Sequence, residues 1–334
     1  MPRFPRTLFL ALAVLAPLPA RAEPPPPLEL GLPLACAPGV DCWIPRHVDL
    51  DPGPGVRDYA CGTLTGPAHN GTDFAIRDMA LLREGVPVLA AAVGTVKARR
   101  DGMADVSVDV LGQAAVEGRN CGNGVVLDHG GGWETQYCHM KQGSVVVAEG
   151  EQVLKGQRLG EIGLSGETSF PHVHLSVRHQ GVPVDPFRGL AGGPDCGLGD
   201  APLWETALLP ALAYRPVLLT DLGFGTGPLE AEAVREGRHR ETELPVAAAA
   251  LVVWFEGYGF KAGDRTRWRI TGPDGALVFA ATTTEERDRA RLFRFAGERR
   301  PPEGWRPGTY VGEVTVERPS QDARVSLRRE VVLR

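Results

Sequence analysis

The sequence has no apolar run long enough to cross a bilayer, its first residues included, since a membrane helix needs about 20 such residues. It also lacks an excess of positive charge: 36 Lys and Arg face 41 Asp and Glu, a formal −5. That balance excludes nucleic acid and anionic membrane surfaces as partners held by bulk charge. Its six cysteines contain no Cys-x-x-Cys spacing, which argues against a zinc site built from thiolates. There is no His-Glu-x-x-His segment, so the helical metalloprotease pattern with its glutamate base is missing. Asp49-Leu50-Asp51-Pro52-Gly53 lacks the ligand spacing of a calcium hand and reads as a turn.

What is present begins with an export pattern. Arg3 and Arg6 make a positive start, Thr7 to Ala16 form a short apolar stretch, and Ala20-Arg21-Ala22 offers small residues for cleavage. Residues 1–22 are therefore expected to be a signal peptide. The predicted mature chain starts near Glu23 and is exported, periplasmic or extracellular. Removing the signal takes away three arginines and no acid, moving the formal charge to −8. Six cysteines fit an oxidising compartment and allow fifteen pairings. Cys36–Cys42 would close a short Pro-Gly loop, Cys121–Cys138 would flank a hairpin, and Cys61–Cys196 would remain to clamp the segment between them.

The residues that carry chemistry are histidines. In Pro171-His172-Val173-His174-Leu175-Ser176-Val177 a strand places His172, His174 and Ser176 on one face and the apolar residues on the other. Upstream, His69-Asn70-Gly71-Thr72-Asp73 holds a His and an Asp four apart. Pro67 and Gly71 disfavour a helix there, so a turn feeding a strand is expected. His139 lies in a third segment, Gln136-Tyr137-Cys138-His139-Met140. Zinc takes imidazole and carboxylate ligands, and catalytic sites keep three from the protein with one place open. His69, Asp73 and one of His172 and His174 would fill such a site, leaving two histidines for proton transfer.

These three segments, in this order, resemble the lysostaphin/LytM-type zinc endopeptidases that cut peptidoglycan cross-bridges. The resemblance spans roughly Pro67 to Val184, about a third of the chain. It implies one Zn²⁺ on His69, Asp73 and His174, with His139 and His172 assisting the reaction. It implies peptidoglycan peptide stems as substrate. It also carries a rival reading, because some relatives have lost metal ligands and activate other wall hydrolases. That reading makes the chain a non-catalytic or latent regulator of the cell wall, although all five positions are occupied here.

The rest of the chain is read as short strands broken by glycine. The expected fold is all-β: a lysostaphin-like, barrel-sandwich-related metallopeptidase domain over residues 67–190, then an immunoglobulin-like β-sandwich over residues 217–334. Residues 23–66 are expected to be a Pro/Gly-rich extension wrapped over the first domain, and residues 191–216 a linker with a short helix from Trp204 to Ala213. Within the first domain, strands are expected at Val86 to Ala92, Gly94 to Ala98, Val106 to Val110, Gly124 to Asp128, Thr135 to His139, Ser144 to Val147 and His172 to Arg178. Pro87 to Val96 and Glu149 to Gly160 resemble biotinyl/lipoyl carrier repeats, but Lys155 lacks the Met-Lys or Asp-Lys context of a modified lysine. The loop Gly163 to Phe170 is expected to form one wall of the cleft, with Ser165 and Gly166 meeting substrate and Glu167 orienting an imidazole. Trp254, Trp268 and Trp305 read as packing. The second half shows no catalytic constellation and is expected to shield the cleft or to hold the wall or a wall-associated protein partner.

Overall fold

A computed structural model describes residue 1 and residues 28–192 and 195–334. The expected signal peptide lies outside the described residues. Among the described residues the first half holds ten strands. They are β1 (Cys42–Arg46), β2 (Thr72–Ile76), β3 (Pro87–Leu89), β4 (Gly94–Arg100) and β5 (Asn123–Gly130). After them come β6 (Trp133–Met140), β7 (Gln152–Val153), β8 (Arg158–Glu161), β9 (His172–His179) and β10 (Val182–Pro183). Eight of them form one antiparallel sheet in the order β1-β2-β9-β6-β5-β4-β7, with β10 added to β9. β3 and β8 make a separate ribbon.

Alternation along β9 fixes the two sides of this sheet. Val173, Leu175 and Val177 are buried in a core shared with Phe74, Leu127 and Tyr137. Leu30 and Leu34, from the segment before β1, are sealed into the same core. Phe74 and Leu175 have no exposed surface, and burying a side chain of this size contributes about 1.5–3 kcal/mol. The opposite face, carrying His172, His174 and Ser176, is free to hold polar groups.

Three disulfides brace the unit: Cys36–Cys42, Cys61–Cys196 and Cys121–Cys138. The hairpin pairing β5 with β6 is out of simple register near Asn123 and Val125, and such a bulge brings Cys121 across to Cys138.

The second half adds β11 (Leu218–Gly225), β12 (Glu243–Leu244), β13 (Ala250–Phe260) and β14 (Arg265–Thr271). It ends with β15 (Leu277–Thr284), β16 (Arg289–Arg299), β17 (Gly308–Arg318) and β18 (Ala323–Leu333). A three-stranded sheet, β11-β13-β16, and a five-stranded sheet, β12-β18-β17-β14-β15, enclose one apolar cluster that includes Phe224, Val253, Phe255, Trp268 and Val314. Trp254, Trp268 and Trp305 are all buried. The two halves meet where Trp43 of β1 packs with Leu218 and Tyr258. Nearby, Arg240 bridges Asp78 and Asp221.

Three expected elements are corrected. The segment from Trp204 to Ala213 is not a helix beyond a single 3₁₀ turn, Thr206–Leu208. Pro210 has no N–H to donate and restricts the residue before it. Val106 to Val110 is not a strand; a short helix, Val108–Leu111, starts under a Ser107 cap and stops at Gly112. Ser144 to Val147 joins no ladder, and Val146 makes one backbone bond, to Leu159. Among the described residues no helix is long and apolar enough to cross a membrane.

Candidate metal centre

Register brings the distant segments together. Asp73 on β2 lies opposite His174 on β9, and Cys138 on β6 lies on the other side of His174. Residues directly across an antiparallel pair share a face, so Asp73 and His174 rise side by side. His69 comes to them on a tight turn. Its N–H donates to the Gly66 carbonyl, and Ala68 before it has a φ of 56°. The Asp49 carboxylate holds this turn by accepting from the N–H groups of Ala68, Asp51 and Arg57, the turn role expected for this segment.

Three donor atoms converge. His69 Nε2 lies 3.1 Å from Asp73 Oδ1 and 3.1 Å from His174 Nδ1, and His174 Nδ1 lies 2.8 Å from Asp73 Oδ1. A tetrahedral zinc with bonds of about 2.0 Å sets its ligands about 3.3 Å apart, so this triangle is the right size for one ion. Two imidazoles and a carboxylate also suit a borderline-soft metal.

Hydrogen bonds on the far side of each ring decide which nitrogen is bare. His69 Nδ1 is 2.7 Å from the His47 carbonyl, so it carries the proton and Nε2 is the free donor. His174 is turned the other way: its Nε2 meets Ser176 Oγ at 2.9 Å and Asn70 Oδ1 at 3.2 Å, leaving Nδ1 free. Such outer partners orient metal-binding histidines. Gly71 leaves room for this ring, because a Cβ there would stand 2.5 Å from His174 Nε2 and 2.7 Å from the Leu175 carbonyl.

The other two histidines follow the same pattern. His139 Nδ1 donates to the Ser165 carbonyl at 2.8 Å. His172 Nδ1 lies 3.0 Å from the Phe170 carbonyl and 3.1 Å from Thr168 Oγ1, while its Nε2 is 3.4 Å from Asp73 Oδ1. The two rings are 4.6 Å apart between centroids. His139 sits in the left-handed region, φ 62°, with its N–H donating to the Cys121 carbonyl. A residue with a side chain pays about 1–2 kcal/mol for that conformation. Phe170 stacks on His172 at 4.3 Å and is itself backed by Tyr258 of the second half at 5.8 Å.

Electrostatics favour a lone pair over a second proton on His139 and His174. Burial holds His139 well below the ordinary imidazole range, and the neighbouring His172 and His174 push the same way. Burial also lowers His174 against the pull of Asp73. For His69 burial acts downward, but the Asp73 charge and hydrogen bond outweigh it and raise the ring. Burial would raise Asp73, yet the charges of His172 and His69 keep its carboxyl well below the usual range.

All five residues line one cleft of about 700 Å³, with Arg46, Asn120, Gln136, Glu167 and Phe170 among its other walls. Two expectations for the loop before β9 are corrected. Ser165 and Gly166 are buried rather than presented to substrate. Ser165 Oγ accepts from the Asn123 N–H and donates to the Met140 carbonyl, and Gly166 packs against Asn120 and Gly122. Glu167 bonds Asn120 rather than an imidazole. Asn70, Gly71, Thr168 and the His47 carbonyl were given no part in the site from the sequence. Of these, only Asn70 and Gly71 left a signal, lying inside the His69–Asp73 spacing. Cys36, Asp41 and Cys42 also cluster, but their two sulfurs are joined in a disulfide.

Residues 67–186 match the model of Peptidase family M23. A stretch of 120 residues is 31% identical to the peptidoglycan DD-endopeptidase ShyA of Vibrio cholerae, covering 36% of this chain and 22% of that protein. The DD-carboxypeptidase/endopeptidase Mpg of Neisseria meningitidis is 33% identical over 160 residues, 46% of this chain and 31% of that protein. Among solved structures, a mutant catalytic domain of the prophage-encoded M23 protein EnpA from Enterococcus faecalis is similar at 22% identity and a TM-score of 0.31, over 48% of this chain and 94% of that one. The chain thus spans well under two thirds of the length of these two curated relatives.

Proposed function

We propose that this chain, which carries a Peptidase family M23 domain at residues 67–186, is an exported zinc endopeptidase that hydrolyses amide bonds in peptidoglycan peptides. The observation that carries the reading is the triangle of bare donor atoms on His69, Asp73 and His174, open to a cleft beside two further imidazoles. When bound, zinc supplies Lewis acidity that polarises a carbonyl and acidifies water. The chain supplies the proton handling. His139 and His172 each keep Nδ1 on a backbone carbonyl, so Nε2 of each is available to take a proton from the attacking water. The resulting imidazolium hydrogen-bonds the oxyanion and then gives its one proton to the departing nitrogen. A positioned acid or base of this kind contributes about 10²–10⁴-fold.

The chemistry of the relatives named above supports peptidoglycan as the substrate. Three disulfides support export to an oxidising compartment. We take residues 67–190 as the metallopeptidase unit and residues 217–334 as an accessory sandwich that buttresses it through Tyr258. The test is metal analysis of the purified chain paired with mass spectrometry of digested muropeptides. His139→Ala is expected to keep zinc and lose turnover by about 10²–10⁴-fold, while His69→Ala loses both. Full turnover in His139→Ala would remove the mechanism, and a zinc-loaded wild type that cuts nothing would favour the regulator.

A further inference from the structure

We propose that Arg46 binds a free carboxylate on the substrate residue that contributes the scissile amide nitrogen, making this cleft selective for acidic peptide cross-links. The inference rests on the hydrolase reading and adds to it the group that is recognised.

Arg46 closes β1 opposite Asp73, which is itself opposite His174. The three residues form one row across the sheet and share its polar face. The guanidinium therefore borders the ion ligands, and Arg46 is both exposed and part of the cleft lining. Among the described residues its guanidinium has no hydrogen-bond or ion-pair partner. Most other charged side chains in the cleft are hydrogen-bonded or ion-paired. Arg178 is bound to Glu134 and Gln136, Glu167 to Asn120, and Asp73 lies among three histidines. Asp109, on the helix Val108–Leu111, is exposed and lines the same cleft.

Charge accounting gives the same answer. At the ion itself, two neutral imidazoles and one carboxylate would leave one net positive charge and Arg46 adds a second, while the acids Asp109 and Glu167 lie elsewhere in the lining. Guanidinium presents a planar fork of donors that matches a carboxylate. The nearest carboxylate available in a peptide follows from amide chemistry. The residue on the carbonyl side has spent that carboxyl in the bond, whereas the residue on the nitrogen side can still carry one on the same carbon as the nitrogen.

The probes are a soluble cross-linked muropeptide dimer with that carboxyl free and the same dimer with it converted to carboxamide. Wild type is expected to favour the acid by about 10- to 100-fold in kcat/KM, as a charge-assisted hydrogen bond allows. Arg46→Ala should erase the preference by slowing the acid alone, with an unchanged melting temperature, and Arg46→Lys should restore part of it. No preference in wild type, or equal losses on both dimers, would overturn the proposal. Calorimetry of both dimers on zinc-loaded His139→Ala, with and without Arg46→Ala, separates the two claims. An Arg46-dependent preference in binding alongside a wild type that cuts neither dimer would sink the hydrolase reading and keep the carboxylate site. Hydrolysis without any such preference would do the reverse.

Discussion

Replacing Cys121 and Cys138 together by alanine perturbs the centre without touching any side chain that could hold the ion. The bridge joins residues 17 apart, and the chain-entropy relation for a loop of that size gives about 3 kcal/mol of lost stability. For a unit of this size that corresponds to a melting temperature lower by about 6–12 °C. A second effect is local. Cys121 also accepts the His139 N–H, and His139 is held at a φ of 62°. If the released strand lets His139 recover the 1–2 kcal/mol that conformation costs, the competent arrangement falls by about 5- to 30-fold. The expected outcome is therefore a lower melting temperature, turnover of muropeptides reduced by that factor, and zinc content unchanged. Calorimetry, metal analysis and single-substrate kinetics on the same preparation would read all three. Wild-type turnover in a variant that has lost its thermal margin would refute the claim that the bridge holds His139.

Gly71→Ala puts a methyl group 2.5 Å from His174 Nε2, so zinc affinity should fall at least tenfold by competition with a chelator; unchanged affinity would show that the turn yields freely. Asp185 is buried, its Oδ2 has no hydrogen-bond partner, and burial raises its carboxyl to about 7. A carboxyl raised in the folded state binds its proton more tightly there than in the unfolded chain, so stability drops as pH rises from about 4 through 7. Asp185→Asn should remove a cost of up to about 4 kcal/mol above pH 7 and almost none near pH 4; denaturant titrations showing a pH-independent difference would contradict this. Phe170→Ala deletes the ring stacked on His172 and should slow turnover about 2- to 10-fold without zinc loss, with Tyr258→Ala acting in the same direction more weakly.

The pattern His172-x-His174-x-Ser176 was legible because a strand's period of two needs only local sequence. The approach of His69 and Asp73 could be suspected from their spacing, but what joins them to His174 is a register between β2 and β9 set by strands about a hundred residues apart. Ser165 and Gly166 misled because a glycine-containing loop beside histidines looks accessible, whereas the fold uses it to grip β5 and the Asn120 turn. β11 shows no clear strand pattern in the sequence, because Asp221 and Gly223 interrupt its apolar run. The strand is nonetheless buried along its whole length, with Gly223 making space for the Trp254 ring.

Three of the four imidazoles are steered by main-chain oxygens, those of residues 47, 165 and 170. Main-chain oxygens survive almost any substitution at their own positions, provided the loop path is kept. The wiring of the proton-handling groups is thus insulated from point mutation at its anchors and exposed instead to insertions and deletions that shift the loops. Surveys of tolerated change in this chain should find length, more than residue identity, under restraint around positions 47 and 170.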